Sequence, residues 1–129
     1  MTEFKRACIL VVENHVLIRN FICTILNKEG HLVLAAANDA EALKLSRTFI
    51  GDIRLLIAKS AGLAGTIAEE RPGTRIILLS ASMSSALKEI VQRVHSIAFL
   101  QHAEFPRKLR DFIQRALTDE NFGDAFVEV

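Results

Sequence analysis

The chain has 129 residues, 50% of them apolar and 24% charged, with 16 basic side chains against 15 acidic ones. That length suits one domain able to bury about two-thirds of its unfolded surface, and the composition argues against disorder. The net charge of +1 provides no global basic field with which to hold nucleic acid or a membrane surface.

Met1 to Arg6 is short and polar, with no apolar run or small-residue cleavage pattern of an export signal behind it. Ala7 to Val12 is a continuous apolar run that predicts a buried strand, ending at the polar trio Glu13, Asn14 and His15. From Val16 the period becomes helical, with Ile18, Phe21, Ile22, Ile25 and Leu26 on one face and Gly30 as the stop. Leu32 to Ala36 predicts a second strand, and Asn38 caps a helix through Ala42, Leu43 and Leu45 that closes near Gly51. Ile53 to Ala58 predicts a third strand. Ala61 to Glu70 is a weak helix carrying two glycines, and Pro72 and Gly73 turn the chain into a fourth strand over Ile76 to Leu79. A helix over Met83 to Val94, a short strand over Ala98 to Leu100 and a helix opened by Pro106 complete the pattern, the last using Leu109, Phe112, Ile113 and Ala116.

Strand and helix thus alternate five times, and the strands read as unbroken apolar runs, as they must when both sheet faces are covered. The expected fold is α/β, a doubly wound five-stranded parallel sheet in one domain over residues 1–121, followed by a polar tail over 122–129. No apolar run approaches the roughly 20 residues of a membrane span. Cys8 and Cys23 lie in apolar stretches and read as reduced thiols, which points to a cytoplasmic protein. His15, His31, His95 and His102 show no metal-ligand spacing with each other or with the cysteines, so neither a zinc site nor a cofactor is expected.

In doubly wound sheets ligands bind beyond the carboxyl ends of the strands, where the strand order reverses. The residues expected there are Glu13 and Asn14, Ile57 to Lys59, Ser80 and His102. The order and spacing of ILVVENHVLIR, AAANDAEAL, IILLSAS and AFLQH resemble the receiver domain of two-component response regulators, a flavodoxin-like fold, from about Ala7 to Leu117.

In that family an acidic pair after the first strand holds Mg²⁺, an aspartate ending the third strand accepts the phosphoryl group, and a hydroxyl and a lysine grip the phosphate. A carboxylate attacks a phosphoryl donor only when a cation neutralises the converging oxygens, which is why these groups occur together. The resemblance places Glu13 and Asn14 at the acidic pair, Ile57 at the acceptor, Ser80 at the hydroxyl, His102 at the lysine and Ala103 at the proline that follows it. Only Ser80 matches. A register error of one residue would bring Ala58 to the acceptor position, which is equally inert.

Lys59 could reach Glu13 and substitute for the missing cation, or simply be solvated. Ser80 could hold an anion or satisfy nearby backbone, and His102 could be a proton-dependent switch or an ordinary loop histidine. Phe99 stands at the family's switch aromatic and otherwise reads as a core or interface phenylalanine. Arg93, Arg107, Lys108, Arg110 and Arg115 gather on the last two helices, the surface that receivers use for docking and dimerisation, although a charge cluster is usually a solvated face. The resemblance implies a degenerate receiver, not an enzyme, that binds a signalling protein such as a histidine kinase or an output domain, with a homodimer as a further possibility. A small-anion or nucleotide sensor using Ser80, Lys59 and His102, and a phosphoacceptor using a non-standard residue, are the alternatives.

Overall fold

The computed structural model describes residues 6–80, 97–101 and 105–118. In chain order the elements are β1 (Cys8–Val12), α1 (Val16–Lys28), β2 (Leu32–Ala36), α2 (Asp39–Thr48), β3 (Leu55–Ala58), α3 (Ala61–Glu70), β4 (Arg75–Ser80), β5 (Ile97–Gln101) and α4 (Phe105–Thr118). All strand pairs are parallel, in the order β2-β1-β3-β4-β5. The doubly wound sheet expected from the sequence is the observed one. The helix predicted over 83–94 and the tail 122–129 lie outside the described residues.

Strand alternation sorts the apolar runs into two cores, one on each face of the sheet. Ile9, Val11, Leu55, Ile57, Ile77 and Leu79 meet Ile22 and Leu26 of α1 and Leu109, Phe112 and Ile113 of α4. Leu10, Val12, Leu56, Ala58, Ile76 and Leu78 meet Ala42 of α2 and Leu63, Ala64 and Ile67 of α3. Successive strand residues point to opposite faces, so a run such as Cys8–Val12 must be apolar throughout to serve both cores.

The helix ends follow from named groups. Gly30 takes φ 84°, its N–H donates to Asn27 O at 3.0 Å, and the His31 N–H donates to Leu26 O at 3.2 Å. This is a Schellman closure, which requires the left-handed conformation that glycine adopts without a Cβ clash. Asn38 Oδ1 accepts from the Glu41 N–H at 2.9 Å, and Glu41 Oε2 accepts from the Ala37 N–H at 2.9 Å, so each side chain satisfies an orphan donor at the start of α2. Ser60 Oγ does the same for the Leu63 N–H at 3.1 Å, which together with the burial of Leu63, Ala64 and Ile67 sustains α3 despite its two glycines.

Several boundaries differ from the sequence-based ones: β1 begins at Cys8 rather than Ala7, and β4 (Arg75–Ser80) and β5 (Ile97–Gln101) each extend one residue further at both ends. β3 begins at Leu55 rather than Ile53; ahead of it the Ile53 carbonyl accepts the Thr74 hydroxyl at 2.6 Å, the Arg54 N–H donates to Cys8 O, and the Arg54 carbonyl accepts the Arg75 N–H. α2 ends at Thr48, short of Gly51. α4 begins at Phe105, so Pro106 is its second residue, where a missing N–H is harmless.

His31 ties β2 to the start of the described chain: its Nδ1 accepts the Ala7 N–H at 3.1 Å, which leaves the ring proton on Nε2, 3.9 Å from Glu29 Oε2. Burial holds its pKa below the ordinary 6.5, against a smaller opposing pull from Glu29. The unfolded chain therefore takes up the proton first as pH falls. The stabilisation from neutral His31 is complete above about pH 6.5 and is lost as pH drops through the folded value. We expect thermal melts to show stability declining below about pH 6.5, and to show a shallower decline in His31→Asn, whose Oδ1 can still accept from Ala7 but cannot titrate. Superimposable pH profiles would remove His31 as the cause.

Candidate functional site

The chain reverses its direction of winding between β1 and β3, and an open cleft of about 580 Å³ lies beyond their carboxyl ends. Its lining comes from three loops: Glu13 and Asn14 after β1, Ala37 to Ala40 after β2, and Lys59 and Ser60 after β3. The register explains which side chains meet. Val11 of β1 lies opposite Ile57 of β3, and two residues further along each strand direction stand Glu13 and Lys59, on the same face by the period-two rule.

Lys59 Nζ lies 3.2 Å from Glu13 Oε2 and donates to Asn14 Oδ1 at 3.3 Å. The Glu13 side chain is 1% exposed, whereas that of Lys59 is 41% exposed, so the lysine covers the carboxylate from the solvent side. Oε2 also accepts the N–H of His15, the N-cap of α1, at 3.1 Å, and Arg19 Nη1 donates to the Glu13 backbone carbonyl at 2.8 Å, so side chain and backbone of Glu13 are both tied to the start of α1. Oε1 is buried and takes no hydrogen bond from the described residues.

The other candidate residues are dispersed. Ile57 is 1% exposed, packs in the core under α1 and α4, and is absent from the cleft lining. Ser80 closes β4 opposite Gln101, and Phe99 lies opposite Leu78 in the middle of β5. His102 and Arg93 lie outside the described residues. On α4, Arg107 is in the first turn, Lys108 is half-buried, and Arg110 Nε reaches Glu29 Oε1 of α1 at 3.3 Å. Arg115 lies over the Phe112 ring, 5.7 Å from its centroid. Two of the proposed docking cations thus already have intramolecular partners.

Sequence reasoning read Asn38 as a helix cap only and did not select Asp39 or Ser60; all three line the cleft. Asn38 and Ser60 are helix caps and Asp39 is the first residue of α2, so all three stand where a strand-to-helix loop ends. Burial pushes both thiols above the usual cysteine range, so neither Cys8 nor Cys23 is an activated nucleophile.

The divalent cation implied by the resemblance does not fit this donor set. Mg²⁺ wants six oxygens in near-octahedral geometry, built on one or two carboxylates. The strand ends supply one carboxylate and one amide, an ammonium already contacts both, and among the described residues no three His, Cys, Asp or Glu side chains converge.

Solved structures match the fold closely. The chemotaxis response regulator CheY4 of Vibrio cholerae is 21% identical, with a TM-score of 0.73 over 88% of this chain and 100% of that one. A CheY-like response regulator receiver domain protein from Methanospirillum hungatei gives 0.76 at 22% identity, over 88% of this chain and 94% of that one. The fold is that of a response-regulator receiver domain. The signal receiver domain of an HD domain-containing protein from Pseudomonas fluorescens gives 0.74 at 22% identity, over 91% of this chain and 90% of that one. No family model and no curated protein matches the sequence. Among the described residues of this receiver fold, no helix is long and apolar enough to cross a membrane.

Proposed function

We propose that this chain is a degenerate receiver that serves two-component signalling in the cytoplasm as a binding module, without being phosphorylated. The observation that carries the reading is Ile57. At the strand end where the receiver resemblance puts the phosphoryl acceptor, this chain has a hydrocarbon side chain 1% exposed among Ile9, Val11 and Ile77. It offers no nucleophilic atom, and Asn14 halves the charge of the acidic pair. The partner in this reading is a histidine kinase or an output domain, engaged through the helix predicted over 83–94 and α4.

A small-anion sensor is the weaker reading, since the positive charge of Lys59 is already directed at Glu13 and Asn14. Incubation with a small-molecule phosphodonor and Mg²⁺, followed by intact mass, tests the proposal. The mass should stay unchanged. A stable gain of one phosphoryl group would overturn it.

A further inference from the structure

We infer that Lys59 is the resident cation of the cleft: its ammonium takes the place of a divalent ion and keeps free metal out. The inference deepens the preceding reading and rests on it in treating this cleft as the functional end of the receiver fold.

A carboxylate with a 1% exposed side chain needs a counter-charge, because burial strips its hydration. Glu13 has one in Lys59 Nζ at 3.2 Å, and the same ammonium donates to Asn14 at 3.3 Å. These are the two side chains that a metal entering beside β1 would have to recruit. The arrangement follows from the register, in which Val11 faces Ile57 and each strand then runs two residues further on. It is held in place from both sides. The His15 N–H fixes Glu13 Oε2 at 3.1 Å, and the residue after Lys59 is Ser60, whose hydroxyl anchors α3 through the Leu63 N–H.

A metal ion competing for Glu13 must first displace a cation attached to the same chain. The tethered ammonium acts at a fixed effective concentration, whereas the ion must be supplied from solution. Removing the ammonium while keeping the stem should therefore uncover a weak divalent site on Glu13 and Asn14, completed by water.

Mn²⁺ alone, titrated into the ¹⁵N-labelled protein, reads this out through paramagnetic broadening of the amides of Glu13, Asn14 and Lys59 relative to Thr74 at the opposite end of the sheet. In Lys59→Met we expect selective broadening at Mn²⁺ concentrations at least about tenfold below any that affect the wild-type cleft. Lys59→Gln, uncharged but polar, is a second variant should the methionine one fail to give a dispersed spectrum, and the same gain is expected. Equal broadening in wild type and variant would overturn the inference, as would a folded variant no more responsive than wild type. No phosphodonor is present, so the result is independent of phosphorylation. A phosphoryl mass gain would defeat the binding-module reading and leave this one standing.

Discussion

Ile57→Asp should lower the stability of the domain by at least about 3–5 kcal/mol, a fall of roughly 10–20 °C in the melting temperature of a chain this size. Two effects add. The isoleucine packs against Ile9, Val11, Ile77 and Leu79 under α1 and α4, so truncation leaves a void that the rigid strands cannot close. The new carboxylate would also enter a position 1% exposed, next to a strand that continues into Glu13, whose charge Lys59 already engages. Ile57→Asn separates the two terms, since it has nearly the same shape and no charge. The aspartate variant should be the less stable of the two at neutral pH and should approach the asparagine one in acid, where its carboxyl is protonated. Chemical denaturation across pH measures both. An aspartate variant as stable as wild type would show that the end of β3 is not sealed in the core.

Arg71→Ala should cost about 2–4 kcal/mol, far more than a turn residue usually contributes. The guanidinium donates to Ser46 Oγ at 3.0 Å, Ser46 O at 2.7 Å, Phe49 O at 3.0 Å and Gly51 O at 2.8 Å. It thereby satisfies the carboxyl end of α2 and the loop that leads toward β3. Removing it strands several acceptors, and Ser46 is itself buried. Lysine should recover less than half of the loss, because a single ammonium cannot reproduce a planar fork that addresses four oxygens. Urea unfolding of the two variants decides this, and equal stability of Arg71→Lys and wild type would reduce Arg71 to a point charge.

These two residues mark the limits of what could be read in advance. Ile57 was legible because a strand buried on both faces leaves an unbroken apolar run, and its neighbours in β1, β3 and β4 are of the same kind. The Lys59–Glu13 contact was legible as a possibility, because the receiver resemblance sets Lys59 two residues past the acceptor position; the register that makes it, Val11 opposite Ile57, is seen only in the structure. Arg71 was not, and neither were Arg54 and Arg75, which donate to Leu117 O at 3.2 Å and Ala116 O at 2.9 Å. All three address backbone carbonyls, and a carbonyl has no letter in the sequence. The start of β3 was misplaced because Ile53 is apolar and buried like a strand residue although it stands two residues ahead of the strand.

The grip of Arg54 and Arg75 on the last carbonyls of α4 has a mechanical meaning. Positive charge at a helix carboxyl end complements its dipole, and here it also bolts that end to the amino-terminal rim of β3 and β4. The 14 residues of α4 span about 21 Å, so a tilt of about 3° about this fulcrum moves the far end by about 1 Å. That far end lies toward the carboxyl ends of the strands, as does the cleft. A partner leaning on the first turn of α4 would thus work on the long arm of a lever whose pivot is two arginines.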